Sequence, residues 1–177
     1  MRIDTYIEHN LEPATHAEIA ELRRACFPED ESGRSYFKQL PHFRLLARDD
    51  SSKVIGHLGV DHRMMTFGGQ VAAVFGAIDL CVAEGSRRKG IAGSLLAELE
   101  RLARRSGVDV LFLVASDKRL YQRCGFEDID AHCSWLRIDE HANYGVASEE
   151  IVGELMIKPL NSEFVPTGPI DFLGYLF

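Results

Sequence analysis

Residues 109–115, DVLFLVA, restrict the fold of this chain more than any other stretch. The unbroken apolar run within it, VLFLVA at 110–115, is the pattern of a strand buried on both faces, so the chain needs a sheet covered on each side. Just upstream, Ile91, Leu95, Leu99 and Leu102 lie four, four and three residues apart, which makes one stripe of an amphipathic helix, and Gly107 ends it. Before that helix comes VAAVFGAIDLCVA, residues 71–83, a long strand in which Gly76 marks a bulge or a close backbone approach.

The flanking sequence supplies the rest of the sheet and its helices. RIDTYIEHN reads as an opening strand, mixing β-branched and aromatic residues with polar ones. THAEIAELRRACF reads as a helix with a capping box from Thr15 to Glu18 and with Ile19, Leu22 and Cys26 on one face. Pro28 ends it, because the residue before a proline is pushed out of helical geometry. YFKQL predicts a short second helix, and HFRLLAR and KVIGHLGVDHRMMTF predict strands parted by the turn cluster DDSS. Gly68-Gly69 supplies the positive φ of a hairpin turn. SDKRLYQRCGF predicts a short helix capped by Ser116 and stopped by Gly125, followed by late strands in HCSWLRI and GELMIKPL. The order fits an α/β or α+β fold in one domain, residues 1–177, around a mixed sheet, with 161–177 as a C-terminal extension.

A length of 177 residues suits one domain, which at this size buries roughly 70% of its surface on folding. The net charge of −7 argues against a general nucleic-acid binder and favours cationic or neutral substrates. No apolar run approaches the ~20 residues of a membrane span, and MRIDTYIEHN is too polar for a secretory signal. Cys26, Cys81, Cys124 and Cys133 form no CxxC pair and no metal spacing, so free thiols in a reducing cytoplasm are expected.

The stretch SRRKGIAGSLLAELE, residues 86–100, sets three cations and a glycine ahead of a helix that follows a strand. The first N–H groups of a helix lack internal partners, and the macrodipole adds about half a positive charge there. Gly90 and Gly93 let an anion approach the backbone, and Arg87, Arg88 and Lys89 add cations. This is a pyrophosphate-type site or, with no ligand, a basic loop ahead of an amphipathic helix; physics leaves both open. No GxxxxGK[ST] string is present, and the loop follows a fourth strand where a Rossmann GxGxxG follows the first.

LCVAEGSRRKGIAGSLL resembles the acyl-CoA-binding motif of the GCN5-related N-acetyltransferase (GNAT) superfamily. Arg87, Gly90 and Ala92 fill the places of its (Arg/Gln)-x-x-Gly-x-(Gly/Ala) loop. RLYQRCGF resembles the family's second landmark, a tyrosine on a short helix before glycine and phenylalanine. The resemblance runs from about Ile78 to Phe126. It implies a mixed, mostly antiparallel sheet whose fourth and fifth strands splay apart to admit the cofactor. It further implies acetyl-CoA, or another acyl-CoA, as co-substrate without a metal. The amides of Lys89, Gly90, Ile91, Ala92 and Gly93 would hold its pyrophosphate, with Arg87 and Arg88 nearby and Ser116 a further contact. The backbone of Leu80, Cys81 and Val82 would pair with the pantetheine arm as an added strand. The Val82 amide would stabilise the oxyanion. Tyr121 would donate a proton to the leaving thiolate and Asp79 would accept one from the ammonium.

For the acceptor, Glu29, Asp30 and Glu31 form an acidic loop suited to a polycationic amine or merely to solvent. His57 and His62 differ in parity, so they point to opposite faces of their strand. Cys124 reads as core. HLGVDHRMMTFGGQ…VPTGPI is similar to nodulation N-acyltransferases, and RLYQRCGF with the strands after it to aminoglycoside 2′-N-acetyltransferases; both point to an amine on a sugar. The leading expectation is acetyl transfer to a primary amine of a small molecule by direct attack. The alternatives are a longer-chain acyltransferase acting on an aminosugar and a non-catalytic acyl-CoA sensor. The apolar end DFLGYLF needs burial in the chain's own core, in a homodimer interface, or against the acceptor site, where the Phe177 carboxylate would meet a cationic amine.

Overall fold

The computed structural model describes residues 1–177. The strands are β1 (Arg2–Ile7), β2 (Phe43–Arg48), β3 (Val54–Phe67), β4 (Gln70–Val82), β5 (Val110–Val114), β6 (Glu127–Asp139), β7 (Ala142–Pro159) and β8 (Ile170–Tyr175). The helices are α1 (Pro13–Cys26), α2 (Ile91–Arg105) and α3 (Arg119–Arg123). The fold is α+β, with a mixed and mostly antiparallel sheet flanked by helices. The chain forms two compact units, Met1–Val60 with Ala77–Leu99, and Asp61–Gly76 with Glu100–Phe177.

In the first unit the strand neighbours run β1-β2-β3-β4, with β2 antiparallel to β1 and to β3. Ile91 and Leu95 of α2 close on Gly56 of β3 so tightly that a Cβ there would lie 2.9 Å from Ile91 Cγ2. Helix α1 buries Ile19 and Leu22 in a cluster with Leu11, Leu46, Val54 and Cys81. The capping box does not form. Pro13 occupies the first helical position, where its missing N–H costs nothing, so α1 begins ahead of Thr15 with Glu12 as cap. Glu18 instead accepts from Arg48 and from the Val54 N–H, both at 3.2 Å. YFKQL forms bends, not a helix. So short a segment cannot repay helix nucleation on its own, and Pro41 bars extension.

In the second unit β4 pairs parallel with β5, Val74–Gly76 against Val110–Phe112, and β5 pairs antiparallel with β7. Strand β6 lies antiparallel to β7 and parallel to β8, which also meets the end of β3 at Thr66 and Phe67. Residues Val110–Leu113 are buried, as their apolar run requires. The β6–β7 hairpin is longer than GELMIKPL alone predicts. It turns at Glu140 and His141, both at positive φ, and much of its polar length is exposed. The C-terminal end becomes strand β8. Phe172 is fully buried and Phe177 is 7% exposed, packed against Phe112 and against Arg63, whose guanidinium lies 4.0 Å from the ring centroid. A Cβ added to Gly76 would lie 2.1–2.4 Å from three ring carbons of Phe177, which is the close approach this glycine signals. No helix is long and apolar enough to cross a membrane.

Candidate functional site

The first unit carries the glycine loop. After Val82 a one-turn 3-10 helix spans Glu84–Ser86, and α2 starts at Ile91. The first bond of α2 runs from the Ser94 N–H to the Gly90 carbonyl, 2.9 Å. The N–H groups of Ile91, Ala92 and Gly93 therefore precede it and have no partner inside the helix. Gly90 takes φ +80°, and a Cβ on Gly90 or Gly93 would meet nothing within 4 Å. Donors, macrodipole and open ground together suit an anion of pyrophosphate size.

Two of the predicted cations face elsewhere. Arg87 donates from Nε to the Val82 carbonyl, 3.1 Å, with Nη2 3.6 Å from Cys26 Sγ. Lys89 donates from Nζ to the Gly85 carbonyl, 2.9 Å. Arg88 is exposed, at φ +62°. The cradle is thus built of backbone more than of side chains. Cys26 is half-buried beside Cys81. A hydrogen bond from Cys81 and the charge of Arg87 outweigh burial and bring the Cys26 thiol down to about 6, while Cys81 is driven up by the same pairing and by its own burial.

Strand β4 carries an extra residue ahead of this loop. Counting back from the two-residue turn at Gly68-Gly69 sets Ile55 opposite Val82, yet the Ile55 carbonyl accepts from the Ala83 N–H. Asp79, in this stretch, adopts φ +55°, a left-handed conformation uncommon outside glycine. A bulge of this kind re-aims the backbone that follows it, here Leu80, Cys81 and Val82. The Asp79 carboxylate accepts from Arg23 Nε at 2.9 Å and from Nη2 at 3.3 Å. Burial pushes its carboxyl above the ordinary value, against the pull of Arg23. Arg23 itself is buried, and it also donates to Asp30 Oδ2, 2.8 Å, and to the Arg34 carbonyl, 2.7 Å. Burial raises the Asp30 carboxyl, but hydrogen bonds from Ser32 and Arg23 prevail and hold it below its usual value. Of the acidic loop, Asp30 is thus committed internally, while Glu29 and Glu31 are exposed.

His57 and Arg44 were not singled out together by sequence. His57 is fully buried, whereas His62 is exposed with its ring edge-on to Phe75. Sequence reasoning missed Arg23 and Arg44. The signal for Arg23 was available: it falls four residues after Ile19 on the apolar face of α1, and a charge there needs a buried partner.

The second unit carries the tyrosine helix. Tyr121 is half-buried on α3 with its ring edge-on to Phe126, 6.0 Å between centroids. Its backbone carbonyl accepts from the Phe126 and Cys124 N–H groups, and Gly125 turns the chain at φ +83°. Burial first, then the negative potential of Asp117 and Cys124, lifts its hydroxyl above the ordinary value, which keeps it a proton donor at neutral pH. Ser116 does not cap α3. The helix starts later, at Arg119 with Lys118 as cap, and Asp117 takes the Arg119 N–H, 3.2 Å, leaving Ser116 exposed. Phe177 spends its ring on the core, as described above.

A family model described as an acetyltransferase (GNAT) domain matches residues 9–129. No curated protein sequence matches the chain. Among solved structures, the GNAT family N-acetyltransferase YhbS from Escherichia coli in complex with CoA is 20% identical with a TM-score of 0.64, covering 96% of this chain and 88% of that one. A GNAT family acetyltransferase from Brucella melitensis in complex with acetyl-CoA is 18% identical with a TM-score of 0.61, covering 96% and 94%. An aminoglycoside 6′-N-acetyltransferase complexed with coenzyme A is 16% identical with a TM-score of 0.59, covering 91% and 98%. At these identities the likeness is one of fold.

Proposed function

Because the chain belongs to the acetyltransferase (GNAT) domain family, and is on that ground an acyl-CoA-dependent N-acetyltransferase, we propose that it transfers acetyl from acetyl-CoA to a primary amine of a small molecule, with an aminosugar as the leading acceptor class. The observation that carries the cofactor assignment is the open N-terminus of α2, where Gly90 and Gly93 leave room and the N–H groups of Ile91, Ala92 and Gly93 lack helical partners. Those amides, with Lys89, Gly90 and the exposed Arg88, bind the pyrophosphate; Arg87 contributes by bracing the Val82 carbonyl. The re-aimed backbone of Leu80, Cys81 and Val82 pairs with the pantetheine arm, and Ser116 stands as a further contact. Acetyl-CoA supplies the activated thioester. Tyr121 protonates the departing thiolate, in keeping with its raised hydroxyl. Asp79, whose carboxyl burial raises toward the range of a useful base, accepts the ammonium proton. Exposed Glu29 and Glu31 draw a cationic acceptor, and Phe177 remains a proposed contact for it. The aminoglycoside acetyltransferase neighbour supports the sugar-amine class. We take residues 1–177 as one N-acyltransferase domain with 161–177 as its extension, and four free cysteines favour a reducing, cytoplasmic setting.

The test is Gly93→Glu. Glutamate in the first turn of a helix suits the macrodipole and replaces a poor helix former, so the free protein should melt no lower than the parent. The same carboxylate fills the anion site with bulk and like charge. Acetyl-CoA should raise the melting temperature of the parent and leave that of Gly93→Glu unmoved. Equal stabilisation of both proteins refutes the site.

A further inference from the structure

The Asp79 bulge is braced by a buried chain of hydrogen bonds that runs back to the end of β1. Glu8 receives both Nε and Nη2 of Arg44. Arg44 also donates from Nη1 to the Ser35 carbonyl. Arg44 and His57 are both fully buried. Arg44 Nη1 lies 3.2 Å from His57 Nε2, and His57 Nδ1 lies 3.1 Å from the Asp79 carbonyl oxygen. A guanidinium only donates, so Nε2 must accept, and Nδ1 must carry the proton that it gives to Asp79. Burial and the Arg44 charge hold the ring neutral, in agreement with that tautomer. On the other side Arg23 grips the Asp79 carboxylate. A left-handed aspartate in a strand persists only where its surroundings over-determine it. Here one imidazole holds the carbonyl and one guanidinium holds the side chain.

We infer that His57 is a positioning residue for acyl transfer: its Nδ1–H holds the Asp79 carbonyl in the bulge, with Arg44 fixing the tautomer, and so sets the amides of Leu80, Cys81 and Val82 that receive the thioester arm. The inference rests on the proposed cofactor reading and adds to it a residue that touches no reactant. Neither the glycine loop nor the tyrosine helix contains any member of this chain.

Two variants of similar bulk separate positioning from packing. In His57→Asn the side-chain amide nitrogen falls where Nδ1 was, so the donor to Asp79 is kept and the contact to Arg44 is lost. In His57→Gln the amide reaches the Nε2 position, so Arg44 is satisfied and the Asp79 carbonyl is not. Both bury one amide in the same space. Transfer is followed as CoA thiol release from acetyl-CoA with the amine the parent turns over best, and acetyl-CoA affinity by calorimetry. The expected result is that His57→Asn keeps kcat within about fivefold of the parent while His57→Gln loses at least about 30-fold, on the scale of a displaced oxyanion donor. Acetyl-CoA affinity should stay within about threefold in both, since the α2 cradle is untouched. Equal losses in the two variants, whether of kcat or of cooperative unfolding, overturn the inference, as does an unchanged kcat in His57→Gln. A parent that does not bind acetyl-CoA overturns the cofactor reading as well, and so the two failures are distinct.

Discussion

Gly76→Ala makes the sharpest test of how the C-terminus is held. Three ring carbons of Phe177 lie 2.1–2.4 Å from where a Cβ on Gly76 would sit, so a methyl group there displaces the ring. Phe177 is 7% exposed, touches Phe112 and Phe172 and stacks under Arg63. Full burial of a phenylalanine stabilises by about 1.5–3 kcal/mol, and truncation to alanine costs about 3–5 kcal/mol once the cavity is counted. Phe177 keeps some exposure, so the cavity left by truncation is partly open to solvent and the lower end applies, about 3 kcal/mol for Phe177→Ala. Gly76→Ala loses the same ring burial but buries one methyl, worth about 0.8 kcal/mol, for a net cost of about 2 kcal/mol. In the double variant the methyl enters space already vacated, so the pair should cost about 2 kcal/mol instead of the 5 that additivity gives. The coupling, about 3 kcal/mol, is several times the ~0.5 kcal/mol scatter of independent sites. Urea unfolding followed by the single tryptophan, Trp135 on β6 of the same unit, reads it directly. Each kcal/mol should move the melting temperature by about 2–4 °C in a chain of this size. Far-ultraviolet circular dichroism must give the same transition, because two compact units can melt separately. Costs that add within about 0.5 kcal/mol would show that the ring yields to the methyl group without leaving its site, and the reasoning fails.

Two further outcomes follow from the site chemistry. Tyr121→Phe should lower kcat by about 10²–10⁴-fold with little change in acetyl-CoA affinity, and the parent should show no loss of rate from Tyr121 below pH ~10, because its raised pKa keeps it protonated there; a kcat within error of the parent removes it as the acid. Cys26 should react with iodoacetamide at a rate that climbs through pH about 6 and then levels, where an ordinary thiol climbs near ~8.5. Cys81→Ala should move that midpoint up more than Arg87→Gln does, since the Cys81 hydrogen bond is the larger cause; a parent midpoint near 8.5 discards the thiolate.

Local features were legible in the chain. The run 109–115 gave a buried strand, Gly68-Gly69 a hairpin turn, and Gly90 to Gly93 an open helix start, because each depends on the conformational preferences of neighbours in sequence. Where local signals competed, the reading slipped. Thr15 and Glu18 have the spacing of a capping box, but Pro13 starts the helix first. Glu140 and His141 turn the β6–β7 hairpin without the Asn-Gly or Asp-Gly that announces such turns, so more than half of β7, residues 142–152, lies outside the stretch that reads as a strand. Strand β8 was hidden for a related reason, since its register comes from β6 and the end of β3, far away in sequence.

The sequence by itself determined which segments become strands and helices around the glycine loop and the tyrosine, and with them the family. Only the tertiary structure decided how the side chains between them are spent. Arg23 reaches Asp79 across 56 residues, Arg44 and His57 join β2 to β3, Asp30 turns inward to Arg23, Arg87 turns back to Val82, and Phe177 fills the hollow of Gly76. A side chain's conformational preference is set by its neighbours in sequence and can be read from them. Its partner in a buried hydrogen bond or ring contact is set by which strands and helices meet in space, and burial makes that choice binding, because a charge or donor shut away from water must find the one group within reach.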